Sequence, residues 1–108
     1  CCASNTLWVV APSGTEVTRI WPSRNDAITT ANAQAACGDW FIPSCAQLKN
    51  PGFTCRDYWD SYDTGPGYWS NTQKDSTNAW RVDMPGGNGG PSPKTDTYVI
   101  RAFRTASY

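Results

Sequence analysis

Six tryptophans, five tyrosines and three phenylalanines occupy a 108-residue chain in which leucine, isoleucine, valine and phenylalanine together number only 14. Aliphatic side chains are too few to fill a domain of this size. The core must be built largely from rings, each of which buries a large area. Nine Gly, eight Pro and 21 Ser and Thr mark frequent turns between short elements. With three Lys and one Glu, Glu16, long surface helices are not expected. The composition fits a single loop-rich domain, α+β or all-β.

Charge excludes several functions. Nine basic and nine acidic residues leave no net charge, whereas a nucleic-acid surface needs a basic excess to neutralise phosphates. The same balance argues against polybasic attachment to an anionic membrane. No apolar run approaches the roughly 20 residues of a spanning helix, so no membrane insertion is expected. The chain has no histidine, which removes His-based triads and His-ligated metals.

Five cysteines fall at Cys1, Cys2, Cys37, Cys45 and Cys55. None forms a C-x-x-C pair, so a structural zinc is not expected. Five in a small loop-rich chain point to an oxidising compartment and up to two bridges within this group. The odd one is either free or joined to another chain. The vicinal Cys1-Cys2 pair could tie the N-terminal arm, residues 1–6, to its own domain and to a neighbouring subunit. A third reading takes Cys1 as a lipidated first residue. The absence of an initiating Met fits a mature product or a segment of something longer.

The remainder, residues 7–108, reads as one domain. Leu7 to Val10 and Thr15 to Trp21 are expected strands. Asn25 and Asp26 offer N-caps for a helix over Ala27 to Cys37, with Gly38 as its stop. Asp39 to Pro43 is an extended apolar segment. Ser44 with Gln47 three residues on forms a capping-box pattern that starts a second, short helix, ended by Asn50-Pro51-Gly52. Tyr68 to Ser70 and Ala79 to Asp83 read as paired strands. Pro85 to Pro91 reads as a flexible excursion. Tyr98 to Arg104 reads as one strand.

Four of these segments are familiar in order. Asp39-Trp40-Phe41-Ile42-Pro43-Ser44-Cys45-Ala46-Gln47-Leu48 is similar to the D-W-x-L-P-[ST]-x-x-E-L segment of the Lcl C-terminal-domain family. Tyr68-Trp69-Ser70-Asn71-Thr72 resembles its Y-W-S-S-T strand, and Ala79-Trp80-Arg81-Val82 its A-W-x-[VF] strand. Lys94 with Val99 to Arg104 resembles its close. The resemblance covers about residues 25 to 104, with Gln47 where the family has an acid. It implies a C-type-lectin-like α+β fold: two short helices flanking a small twisted antiparallel sheet, with long loops gathered on one face. It also implies a setting in bacterial surface adhesins or phage tail and virion proteins, hence an extracellular, cell-surface or virion-surface location.

Trp40, Trp69 and Trp80 lie in the strand motifs and are expected core residues. Arg101, a lone cation in an apolar strand, is expected to be buried against Asp39 or Asp83. The expected contact surface is the loop holding Asp57, Tyr58, Trp59, Asp60, Tyr62 and Asp63. Rings stack on sugar faces and carboxylates accept hydrogen bonds from adjacent hydroxyls. Under the lectin-like topology, the segment from Gln73 to Asn78, with Asp75 and Asn78, would lie beside it. Asp57, Asp60 and Asp63 recur every third residue, but no calcium-loop pattern or lectin calcium string accompanies them, so neither metal nor cofactor is expected. Catalysis is not expected either. The leading expectation is a non-catalytic recognition or adhesion domain that binds a glycan or cell-surface receptor. The alternative is a structural protomer of an extracellular fibre or virion appendage, self-associating through its N-terminal arm.

Overall fold

Alternation along Tyr68-Trp69-Ser70 and along Asn78 to Val82 sends neighbouring side chains to opposite faces, and both segments are strands. The computed structural model describes residues 2–3, 6–34, 39–59, 61, 67–84 and 86–107. Its strands are β1 (Cys2–Ala3), β2 (Thr6–Val10), β3 (Val17–Ile20), β4 (Tyr68–Gln73), β5 (Asn78–Val82), β6 (Gly89–Pro93), β7 (Thr97–Ile100) and β8 (Phe103–Ser107). Two helices, α1 (Asp26–Gln34) and α2 (Cys45–Gln47), complete an α+β architecture.

The strands form two sheets, β1-β2-β8 and β3-β7-β4-β5-β6. The expected all-antiparallel sheet needs correction. β4 meets β7 through a parallel bridge, Tyr68 opposite Val99, so the five-stranded sheet is mixed. The bridge is local. It forms where Gly67, at φ +145°, turns the chain into β4 and its carbonyl accepts from Val99 N. The segment from Tyr98 to Arg104 is likewise two strands. The chain leaves the larger sheet at Ile100 and enters the smaller one at Phe103. The buried Arg101 side chain anchors the crossing.

The excursion expected at Pro85 to Pro91 is in part an edge strand, β6, paired with β5 from Asn78 opposite Pro93 to Val82 opposite Gly89. Pro91 and Pro93 are tolerated because an edge strand has one side with no ladder bonds to make. At Gly87 the backbone takes φ +71°, and a Cβ there would come within 2.5 Å of the Phe53 ring. Glycine suits that position on both counts.

The helices follow local chemistry. Ser44 Oγ accepts from Gln47 N at 3.1 Å, and Gln47 Oε1 accepts from Ser44 N at 2.8 Å. The capping box therefore forms with Gln at its fourth position. Beyond α2 the chain makes a wide turn over Leu48–Phe53, where Asn50 is extended and the Asn50-Pro51 peptide is cis. α1 buries its small residues Ala27 and Ala31. The last residues of its expected span, with Gly38, lie outside the described residues.

Rings do fill the interior. Leu48, Trp59, Tyr68, Val82, Met84, Val99 and Phe103 pack as one cluster. Trp21, Ala27, Ile42, Trp69, Ala79 and Ile100 form a second. Trp40 is buried with Ala11, Ala31 and Ala102. Trp40 and Trp69 thus take the core places expected of them, although Trp40 lies beside an isolated bridge, Phe41 opposite Phe103, and not in a strand. Trp80 does not: it is half-buried on β5, opposite Pro91 of the edge strand, because little beyond that edge can cover it.

Candidate functional site

Arg101 is the structural hinge between the two sheets. It is 2 % exposed, and a buried cation survives only when its donors are satisfied. Nε donates to Ala11 O at 2.7 Å and Nη2 to Trp59 O at 2.7 Å. Nη1 donates to Ser61 O at 2.6 Å and to Glu16 Oε2 at 3.2 Å. The Tyr68 hydroxyl donates to the same carboxylate oxygen. The partner is the chain's single glutamate, not Asp39 or Asp83. Asp39 is instead paired with Arg104 at 2.6 Å, and that bond holds its carboxyl below the ordinary 3.8.

This knot reaches into the loop from which the contact surface was expected. Trp59 is 2 % exposed, with its ring edge-on to Tyr68 at 5.2 Å and to Phe103 at 5.6 Å. It is a core residue, and its assignment as a ligand-stacking ring is corrected. Polarity of the flanking residues misled the sequence reading: the turn Arg56–Trp59 sends the ring inward while Asp57 faces solvent. The Tyr58 side chain, Asp60, Tyr62 and Asp63 lie outside the described residues.

Among the described residues of the expected surface, Trp59 and the Asp75–Asn78 pair lie at different ends of β4. Trp59 packs at Tyr68, the start of β4. Asp75 lies in the turn that follows Gln73, the end of β4, and Asn78 opens β5. Five steps at about 3.3 Å each separate the two ends of a six-residue strand.

At the Gln73 end, Asp75 organises the β4–β5 turn. Its Oδ1 accepts from Thr77 N at 2.9 Å and from Asn78 N at 2.8 Å. Asn78 Nδ2 also donates to Asp75 Oδ1, at 3.1 Å. The backbone bonds from Thr77 and Asn78 lower the Asp75 pKa from 3.8 to about 2. Its first role is therefore to close the turn. A carboxylate whose pKa is depressed by folding contributes stability above its unfolded pKa, and loses it as pH falls through the folded value. Thermal melting of the parent should show a decline between about pH 4 and pH 2, and Asp75→Asn should lose part of that dependence. An unchanged acid limb in the variant would show that the turn does not depend on the charge.

Trp21 stands beside this turn, and sequence reading missed it as a site element because it reads as the end of a strand. Its Nε1 donates to Ser70 O at 2.8 Å and its backbone N to Lys94 O at 3.0 Å. The Arg24 guanidinium lies over the ring at 3.6 Å and Lys94 Nζ at 4.8 Å from its centroid. Arg24 Nε donates to Asn71 Oδ1 at 2.6 Å, and Lys94 Nζ to Gln73 Oε1 at 2.9 Å. Burial lowers the Arg24 pKa below the ordinary guanidinium value. Four polar side chains from three separate segments thus converge on one tryptophan. The signal available in sequence was the i, i+2 pair Asn71 and Gln73, which places both on one face of β4.

A second feature is a cavity of about 310 Å³ beside β2, walled by Leu7, Trp8, Pro51, Trp59 and Phe103 among others. Cys55, in its wall, is disulfide-bonded. Cys45 is a free thiol, so its expected place in a bridge is corrected; Cys1, Cys37 and the Cys2 side chain lie outside the described residues. No group of three or more His, Cys, Asp or Glu able to hold a metal ion occurs among the described residues. No helix among them is long and apolar enough to cross a membrane. No protein-family model matches the chain, and no curated protein matches it. The likeness to the Lcl C-terminal-domain family therefore rests on its four ordered motifs.

Proposed function

We propose that this chain is a non-catalytic recognition domain of an extracellular, cell or virion surface, with a C-type-lectin-like fold, and that it binds a glycan at the Gln73 end of β4. One observation carries the reading: Arg24, Asn71, Gln73 and Lys94 converge on Trp21 at a solvent-facing strand end. Directed polar groups anchored over a buried tryptophan suit a hydroxyl-rich ligand. The family motifs support the lectin-like fold, since they fall on α2, β4, β5 and the β7–β8 crossing in family order. Phage tails and bacterial adhesins are the settings that the family suggests.

Binding of the purified chain to a glycan array and to intact bacterial cells tests the proposal. Saturable binding to a defined set of glycans is expected, lost in the Asn71→Ala, Gln73→Ala double variant and kept in Asp57→Ala. A folded parent that binds no glycan would overturn it. A second reading, a self-associating structural protomer, is favoured by the apolar cavity beside β2 with Leu7 exposed at its rim. Sedimentation of the parent and of Leu7→Asp distinguishes the two: only the protomer reading has the parent sediment as an oligomer and the variant as a monomer.

A further inference from the structure

The cluster around Trp21 turns its side-chain acceptors onto its own cations. The side-chain oxygens of Asn71 and Gln73 receive Arg24 Nε and Lys94 Nζ. Arg24 Nη1 donates to Trp21 O at 3.2 Å and Lys94 Nζ to Ser76 O at 3.2 Å. Arg24 Nη2 and the amide nitrogens of Asn71 and Gln73 have no acceptor among the described residues. What faces solvent is therefore rich in donors that have no partner among the described residues.

The cluster is also positively charged and not neutralised. The ion pairs among the described residues are Arg19 with Asp26, Arg101 with Glu16 and Arg104 with Asp39. Neither Arg24 nor Lys94 is in one. Asp75, the acid closest in sequence to Gln73, is turned onto Thr77 and Asn78. Asp96, two residues from Lys94, forms no ion pair with it. The chain as a whole is neutral, so this local excess is a matter of placement, not composition.

A neutral sugar hydroxyl both donates and accepts, and a mixed surface serves it best. A donor-rich surface with two cations outside any ion pair favours a ligand group that accepts and is negative. The Arg24 guanidinium, held over the indole at 3.6 Å, keeps Nη2 for a charge-assisted bond to a carboxylate oxygen. We propose that this cluster binds the carboxylate of a uronic-acid-type sugar. Arg24 and Lys94 hold the carboxylate, and the amide N–H groups of Asn71 and Gln73 donate to neighbouring ring hydroxyl oxygens. The inference rests on the glycan-recognition reading above and specifies its ligand.

Titration calorimetry with three probes tests it: an oligogalacturonate, the same oligosaccharide with its carboxyl groups reduced to alcohols, and dextran sulfate. The oligogalacturonate should bind, and carboxyl reduction should weaken binding by at least about tenfold, the scale of one charge-assisted contact. Arg24→Gln and Lys94→Gln should each weaken it comparably. Should Arg24→Gln fail to fold, Lys94→Gln and Asn71→Asp decide. The latter sets an acid against Arg24 and should abolish carboxylate binding with the melting temperature kept. Equal binding of the reduced oligosaccharide would overturn this inference and leave glycan recognition standing. Dextran sulfate binding as tightly as the oligogalacturonate would overturn it as a non-specific charge effect. If no oligosaccharide, charged or neutral, binds here or on the array, both this inference and the recognition reading fall.

Discussion

Arg101→Met should lower the unfolding free energy by about 3–5 kcal/mol, the cost of removing one partner of a buried ion pair. Methionine keeps the bulk but leaves the carbonyls of Ala11, Trp59 and Ser61 without their donor, and leaves Glu16 without its cation. Those groups belong to the β2–β3 connection and to the turn before β4, so the change loosens the junction between the two sheets. Glu16→Gln should cost less, because its amide can still accept from Arg101 and Tyr68. Urea denaturation of both variants gives the comparison. An Arg101→Met loss under about 1 kcal/mol would place its value in the range of an exposed pair and refute the knot.

Trp59→Ala should cost a similar amount, about 3–5 kcal/mol, as for other large buried aromatics. The ring touches Tyr68 and Phe103 edge-on and sits in the larger ring-built cluster. Trp80→Ala, at a half-buried position on β5, should cost about 1 kcal/mol, the centre of the range for ordinary substitutions. The contrast is informative because sequence alone placed Trp80 in the core and Trp59 on the surface. A small loss for Trp59→Ala together with a large one for Trp80→Ala would reverse the assignment of core and surface.

The sequence was most legible where one local interaction decides the conformation. Ser44 and Gln47 cap α2 because both bonds of the capping box are made within four residues. The strand pair β4–β5 was readable because period-2 alternation and a polar turn act over the same short distance. Arg101 was legible as a buried cation, because an isolated charge in an apolar strand needs an acid. Which acid it meets was not, because Glu16 lies 85 residues away and only the folded sheet brings the two together. Trp59 was misread for a related reason. Its neighbours Arg56 and Asp57 are polar, but a helical turn separates side chains that a loop reading treats alike. The break at Arg101-Ala102 was invisible because the residues on either side both favour strand, and it is tertiary packing that moves the chain from one sheet to the other. The Trp21 cluster was missed because its members come from residues 21–24, 71–73 and 94, and no spacing links them.

The site assignment is tested most directly by nuclear magnetic resonance, following backbone and side-chain amide shifts as a bound oligosaccharide is titrated in. The perturbed signals should cluster on Trp21 Nε1, Arg24 Nε, the Asn71 and Gln73 side-chain amides and the backbone amide of Lys94. Perturbations centred on Asp57 at the other end of β4, or on Leu7 and Trp8 at the apolar cavity, with the Trp21 cluster unmoved, would contradict it.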